Sequence, residues 1–227
     1  MPVVSSEQAA ACIDTTTVAW PHLPSADVEL AGLVYTSGST SEPKGVMVTH
    51  GNVAFTSGAI QQVLSLRADD TIALPLPLAF DYGLYQLFLA CRSGAAVVLG
   101  SGVEAGVDWP ARLATQAVTV LPLVPHQAAM LFALLRRPGA VSPQRLRMIT
   151  STGEAFPEPW LEAARATLPR AEVYVMYGLT ECKRVSIRPP GTGSAGSAGL
   201  PLPGTQVRVL DGTGCELPKG AVGQIAV

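Results

Sequence analysis

Cysteine and histidine are scarce in this chain and show no metal-ligand spacing. The four cysteines among 227 residues lie far apart, and neither a Cys-x-x-Cys pair nor a suitably spaced histidine accompanies them. This distribution argues against a disulfide framework and against a cysteine or histidine metal site. Cys91 lies in an apolar stretch, and we therefore predict that it is a small core residue.

Charge and long apolar runs are also limited. Charged residues make up 14% of the chain and the net charge is −2, which offers no electrostatic footprint for nucleic acid or an anionic membrane. No apolar run approaches the length of a membrane span. The amino terminus lacks the basic start and apolar core of a signal peptide. These features predict a cytoplasmic protein without nucleic-acid or membrane partners.

Hydrophobic residues, at 48%, are sufficient for a sizeable core. Short runs rich in Val, Ile, Leu and Tyr alternate with helical patterns from residue 30 onward. The predicted strands are 31–36, 71–76, 95–99, 118–123, 146–151 and 172–177, and two of the predicted helices are 125–137 and 157–167. Several strands are apolar throughout, as expected when both faces are covered. The alternation predicts an α/β fold with a doubly wound, mainly parallel sheet and flanking helices.

Composition changes near both ends of this alternating region. Residues 1–28 are rich in Thr, Ser and Pro and are predicted to be a lead-in segment. Residues 29–188 form the predicted α/β nucleotide-binding core. Residues 189–227 begin with a glycine-rich connection, after which 206–211 and 224–227 predict a β-hairpin of an incomplete β-rich subdomain.

Residues 35–45, Tyr-Thr-Ser-Gly-Ser-Thr-Ser-Glu-Pro-Lys-Gly, are the most informative segment. Small side chains allow several backbone N–H groups and hydroxyls to face one anion, and Lys44 adds a positive charge. The apolar flanks predict the order strand, phosphate-binding loop, helix. The loop differs from that of P-loop NTPases because Pro43 precedes the lysine and Gly45 follows it. A flexible surface linker is the alternative interpretation.

Five motifs in order resemble those of the adenylate-forming superfamily, which includes acyl-CoA synthetases, luciferases and nonribosomal peptide adenylation domains. The resemblance covers roughly residues 30–227 and implies a partial version of the family's large domain. The matching segments are the loop at 35–45, then 80–88, 151–154, 174–181 and 199–227. The family's reaction is activation of a carboxylic acid, in some members an amino acid, by ATP to an acyl-adenylate with release of pyrophosphate.

The resemblance implies ATP and Mg²⁺ as cofactors and assigns residues to them. The implied ATP-binding residues are Thr36, Ser37, Gly38, Ser39, Thr40, Lys44, Gly153, Glu154, Met176, Tyr177, Gly178 and Thr180. Tyr177 offers an aromatic face for adenine, although a core tyrosine at a strand end is the alternative. Thr180, Glu181 and Lys44 are the implied catalytic residues, with Glu181 as the Mg²⁺ ligand.

Phe80, Asp81 and His126 are the predicted substrate-pocket residues. In amino-acid-activating relatives an aspartate at the position of Asp81 pairs with the substrate amino group. The alternative is that Asp81 caps a helix beginning at Tyr82. For His126, a surface or capping role is the alternative.

Two departures from the family pattern are apparent. Ser41 stands where the family commonly has glycine, and Gln224 replaces a usual acidic residue. Full members are more than twice as long, so we expect this chain to be part of an AMP-forming acid–thiol ligase. Its expected partners are a small carboxylic acid and coenzyme A, a carrier protein, or a chain that supplies the missing C-terminal domain. A nucleotide-binding or partner-binding module without full turnover is the alternative.

Overall fold

A seven-stranded mixed sheet with the order β4-β3-β5-β6-β7-β8-β9 lies at the centre of the protein. The computed structural model describes residues 26–36, 44–99, 106–194 and 196–227. The sheet contains β3 (Thr71–Leu74), β4 (Ala96–Leu99), β5 (Val120–Leu123), β6 (Met148–Ser151), β7 (Glu172–Tyr177), β8 (Ser186–Arg188) and β9 (Leu200–Pro201). Strands β3 to β7 are parallel, whereas β8 and β9 add antiparallel pairs at one edge.

In the described part of the chain, five helices cover both faces of this sheet. They are α1 (His50–Leu64), α2 (Asp81–Ser93), α3 (Trp109–Thr115), α4 (Pro125–Leu135) and α5 (Glu158–Thr167). One buried cluster joins α1 and α2 to the sheet through residues such as Ile60 and Leu89. The other joins α3, α4 and α5 through residues such as Leu113, Phe132 and Leu161. Strands β5 and β6 are buried along their whole length, and the continuous apolar run of β5 suits this position. The predicted α/β fold is confirmed.

Among the residues that the structure describes, two small antiparallel hairpins lie outside the seven-stranded sheet. The first pairs β1 (Leu30–Thr36) with β2 (Lys44–Thr49), and the second pairs β10 (Arg208–Leu210) with β11 (Gln224–Ala226). The second hairpin confirms the strand pairing predicted within 206–227. The main sheet also extends beyond residue 188, since β9 pairs with β8. The division of the chain at residues 28 and 188 stays a prediction.

Strand β2 corrects the predicted order of strand, loop and helix. Residues 44–49 pair with β1, so a second strand separates the loop from α1. Val46 and Val48 are more buried than Met47 between them, an alternation typical of a strand. Thr49 then caps the helix, because its hydroxyl accepts a 3.1 Å hydrogen bond from the Asn52 N–H. The Asn52 side-chain oxygen in turn accepts a 3.1 Å hydrogen bond from the Thr49 N–H. The helix therefore begins at residue 50, directly after its cap.

Cys91 differs from its predicted place in the core. It is exposed on α2, next to the buried pair Leu89 and Ala90. The apolar stretch is the helix itself, and Cys91 falls on the face that points away from the sheet. Within the described part of the chain, no helix combines the length and the apolar character needed to cross a membrane.

Asp70 connects three parallel strands at their amino ends. Its carboxylate accepts hydrogen bonds from Thr119 Oγ1 at 2.7 Å and from Arg147 Nε at 2.8 Å, while the Arg67 N–H donates at 2.8 Å. Asp70, Thr119 and Arg147 directly precede β3, β5 and β6. Burial raises the pKa of Asp70, but the donors, with Arg147 foremost, outweigh burial and hold the pKa below its ordinary value.

Replacement of Asp70 is expected to destabilise the fold more than replacement of its neighbour. Asp70→Ala leaves Arg147 and Thr119 without their carboxylate and should lower the free energy of unfolding by about 3 kcal/mol. The exposed Asp69 serves as the matched control, and Asp69→Ala should change that free energy by no more than about 0.5 kcal/mol. Urea unfolding at pH 7 measures both values, and equal stabilities of the two variants would contradict the role of Asp70.

The contribution of Asp70 should also depend on pH. Because its pKa is lowered on folding, the unfolded chain binds the proton more readily. The contribution is therefore complete above the unfolded pKa of about 4 and is lost as the pH falls through the lower folded pKa. The difference in unfolding free energy between the wild type and Asp70→Ala should shrink below pH 4. A difference that grew with acidification would be inconsistent with this account.

Candidate functional site

A large cavity in the described part of the chain opens at the carboxyl ends of the parallel strands. It has a volume of about 620 Å³, and the segments that follow β3, β5, β6 and β7 all contribute to its wall. This edge of an open α/β sheet is where ligands bind, because loops from neighbouring strands diverge there. The cavity size is also typical of a small-molecule site.

A second cavity of about 350 Å³ adjoins the first. Gly153 and Gly178 line both cavities, whereas Glu154, Met176 and Tyr177 line only the smaller one. The structure therefore brings together five of the six residues in β7 and in the turns after β6 and β7 that the sequence assigned to the nucleotide. The sixth, Thr180, lines the larger cavity. Tyr177 is half-buried at the end of β7, so it is not a fully enclosed core residue.

The turn after β7 depends on the absence of a side chain at Gly178. A Cβ atom at this position would lie 2.2 Å from the Lys183 carbonyl oxygen and 2.9 Å from the Arg184 Cα. The main chain consequently folds back tightly, and the Val185 N–H donates to the Tyr177 carbonyl at 2.9 Å. Between these points, Thr180 is half-buried and Glu181 is exposed, and both line the larger cavity.

Phe80, Asp81 and His126 lie around the same larger cavity. Asp81 is the first residue of α2, and its Oδ1 accepts a 2.8 Å hydrogen bond from the Tyr82 N–H. The carboxylate thus contacts its own helix terminus and also lines the cavity. Phe80 and His126 are exposed at the starts of α2 and α4. The three predicted pocket residues are therefore brought together with Thr180 and Glu181.

The predicted phosphate loop is described only at its two ends. Thr36 and Lys44 are paired at the loop end of the β1–β2 hairpin, and Lys44 is exposed. Ser37, Gly38, Ser39, Thr40 and Ser41 lie outside the described residues. Lys44 lines neither of the two cavities. Strand β2 is nevertheless close to the β7–β8 turn, since Met47 and Lys183 line a third, smaller cavity.

Two basic residues that the sequence reasoning missed also line the larger cavity. Lys183 and Arg184 are only 6% and 7% exposed. Burial lowers the pKa of both groups, while Asp81 opposes this effect for each of them. Their signal in the sequence is a pair of adjacent cations directly after the Thr180-Glu181-Cys182 segment. The sequence analysis named neither residue, and the structure places both on the wall of the larger cavity.

Arg184 is held by neutral groups. Its Nη1 donates to Thr152 Oγ1 at 2.6 Å, and its guanidinium carbon lies 5.2 Å from the centroid of the Tyr82 ring. Thr152 in turn donates to the Met176 carbonyl at 3.1 Å. Burial raises the pKa of Tyr82 to about 12, although its hydroxyl shares a 2.7 Å hydrogen bond with Thr150. The phenol therefore stays neutral beside the guanidinium.

Comparison with known proteins finds synthetases and ligases among the relatives of this chain. Pyochelin synthetase PchF of Pseudomonas aeruginosa is 34% identical over 224 residues, which are 92% of this chain and 12% of that protein. VinN in complex with L-aspartate superposes with a TM-score of 0.81 at 37% identity, over 89% of this chain and 50% of VinN. O-succinylbenzoate coenzyme A synthetase (MenE) from Bacillus subtilis, in complex with ATP and magnesium, superposes with a TM-score of 0.76 at 29% identity. The match covers 88% of this chain and 41% of MenE.

This chain also matches a protein family over nearly its whole length. The chain spans no more than half the length of these relatives, so it corresponds to one portion of each. The family described as AMP-binding enzyme matches residues 4–227, which is nearly the whole chain. The chain therefore belongs to the AMP-binding enzyme family.

Proposed function

We propose that this chain forms the nucleotide and acid sites of an AMP-forming ligase. The reaction is the activation of a carboxylic acid by ATP to an acyl-adenylate, with release of pyrophosphate. The observation that carries this proposal is the pair of adjoining cavities that share Gly153 and Gly178, with Thr180 and Glu181 on the wall of the larger one. One cavity suits a nucleotide and the other suits the acid that must meet its α-phosphate.

The smaller cavity is the proposed adenosine site. Tyr177 supplies an aromatic face for adenine, and the turn at Gly153 and Glu154 lines the same cavity. The triphosphate would extend toward Thr180 and the loop that begins after Thr36 and ends at Lys44. The MenE structure with ATP and magnesium, at 29% identity, supports this class of ligand.

Glu181 is the proposed ligand for the magnesium ion. It is exposed at the cavity wall, and a carboxylate oxygen is a ligand that Mg²⁺ prefers. The ion, when bound, offsets the negative charge of the triphosphate. The chain's own contribution is to place Thr180 and Lys44 as donors to phosphate oxygens and to hold the acid in line with the α-phosphorus.

The bond changes follow from this arrangement. A carboxylate oxygen of the acid attacks the α-phosphorus, and a new phosphorus–oxygen bond forms. The bond from the α-phosphorus to the oxygen that bridges to the β-phosphorus breaks, and pyrophosphate leaves with that electron pair. The acyl group of the mixed anhydride then passes to a thiol of coenzyme A or a carrier protein in the proposed complete enzyme.

Asp81 indicates that the acid carries an amino group. Its carboxylate lines the larger cavity, where a buried anion is stable when a cation meets it. The Tyr82 N–H donates to Oδ1, and no donor among the described residues bonds to the other oxygen, which is the proposed acceptor for an ammonium group. VinN, which is 37% identical, was solved in complex with L-aspartate, and this supports an amino acid substrate.

Removal of the Tyr177 ring should weaken nucleotide binding. Stacking of a base on an aromatic side chain is worth about 1–3 kcal/mol, so Tyr177→Ala should raise the dissociation constant of MgATP by about 5-fold to 150-fold. Tyr174→Ala is the matched control, because Tyr174 lies on the same strand and lines neither cavity. Isothermal titration calorimetry gives both constants. An unchanged constant for Tyr177→Ala would refute the proposed adenine site.

Replacement of Asp81 should remove a preference for the amino group. The wild type is expected to bind L-aspartate at least about 10-fold more tightly than succinate, which lacks only the amino group and so loses a charge-assisted hydrogen bond. Asp81→Asn should reduce this ratio to near unity, and Asp69→Asn should preserve it. Competition titration supplies the ratios. If Asp81→Asn kept the full preference, Asp81 would be only a residue of the helix terminus.

A further inference from the structure

We propose that Lys183 and Arg184 form a second anion site in the acid cavity, and that the substrate carries a carboxylate there in addition to the one that is activated. This inference rests on the proposed function, because it names the class of acid that the same cavity takes. The substrate class is an acidic amino acid.

Lys183 has a buried ammonium group without a hydrogen-bond partner. Its Nζ is enclosed and makes no hydrogen bond within the described residues. The backbone at Lys183 also adopts a left-handed conformation, with φ of 60°, which is uncommon for a residue other than glycine. The Lys183 carbonyl also lies close to Gly178, where a Cβ atom would be only 2.2 Å from it. A strained backbone and a desolvated amine both cost stability, and such costs concentrate at ligand sites.

Arg184 has partners, but none of them carries a negative charge. Its contacts are the Thr152 hydroxyl and the Tyr82 ring, and its Nε has no hydrogen-bond partner within the described residues. Among the residues that the structure describes, neither Lys183 nor Arg184 makes an ion pair. A buried cation without a counter-ion is costly, so an anion from outside the chain would complete the pair.

The acidic groups of the same cavity already have other proposed partners. Asp81 is half-buried and is proposed to meet the substrate amino group, and Glu181 is exposed and is proposed to hold magnesium. Both carboxylates act favourably on the Lys183 ammonium through space. Neither accepts a hydrogen bond from it. The cavity therefore offers one site for an ammonium group and one for an anion, which matches an amino acid with an acidic side chain.

A phosphate group of the nucleotide is the competing occupant. Lys183 lies on the cavity wall next to Glu181, so a phosphate oxygen could also satisfy its charge. The two occupants differ in which dissociation constant changes when the lysine is replaced. A carboxylate site alters the discrimination between L-aspartate and L-asparagine, which differ by one charge and have nearly the same shape. A phosphate site alters the binding of MgATP.

The experiment measures the binding of three probes to the 227-residue chain. The probes are L-aspartate, L-asparagine and MgATP, and the variants are Lys183→Met, Lys183→Gln and Arg184→Gln. Lys219→Met is the matched control, because Lys219 is exposed and lines neither the adenosine cavity nor the acid cavity. Thermal unfolding without ligand accompanies each titration. Loss of a desolvated charge should raise the unfolding midpoint of Lys183→Met, and this result would confirm that the variant is folded.

The wild type and Lys219→Met are expected to bind L-aspartate at least about 10-fold more tightly than L-asparagine. Lys183→Met and Lys183→Gln should reduce this ratio to below about 3-fold, and Arg184→Gln should reduce it in the same direction. MgATP should bind these variants as it binds the wild type. If Lys183→Met kept the ratio and lost MgATP affinity, phosphate would be the occupant and the inference would be wrong.

The remaining outcomes separate this inference from the proposed function. A wild type that binds MgATP but does not distinguish L-aspartate from L-asparagine refutes the anion site and leaves the ligase proposal standing. A wild type that distinguishes them in the lysine-dependent manner but does not bind MgATP supports the anion site and refutes the ligase proposal.

Discussion

The close approach of the main chain at Gly178 is the contact on which the candidate site depends. No Cβ atom fits there, because the Lys183 carbonyl occupies that space. The resulting turn has two consequences. It leaves Tyr177 facing the smaller cavity, and it places Thr180, Glu181 and the two cations on the wall of the larger one. A single packing constraint therefore sets the relation between the proposed nucleotide and acid sites.

Buried charged groups at the two ends of the parallel strands differ in whether they have partners of opposite charge. At the amino ends, Asp70 receives a charged donor, a hydroxyl and a backbone N–H, and this pairing connects three strands. At the carboxyl ends, Arg184 has only neutral contacts and Lys183 has no hydrogen-bond partner in the described structure. The first arrangement stabilises the sheet, while the second is completed only by an anionic ligand. This contrast is the physical basis for assigning stability to one edge and binding to the other.

Much of the architecture was predictable because apolar runs identify buried parallel strands such as β5. Strand β2 was missed, since its alternating pattern is short and adjoins a polar loop. Cys91 was misplaced because composition does not show which face of a helix is buried. For the site, the ordered motifs indicated Tyr177, Thr180 and Asp81. Lys183 was not found from the sequence, because its burial follows from the fold of the turn and not from any local pattern.

The central claim is that the two adjoining cavities form one site in which the acid meets the α-phosphate. A single molecule that contains both halves, the sulfamoyl analogue of aspartyl-adenylate, tests this claim most directly. Its displacement by MgATP and by L-aspartate can be measured in separate competition titrations with the same chain. The account predicts that each competitor displaces the analogue fully. An analogue that one competitor displaced and the other left bound would show that the cavities are independent.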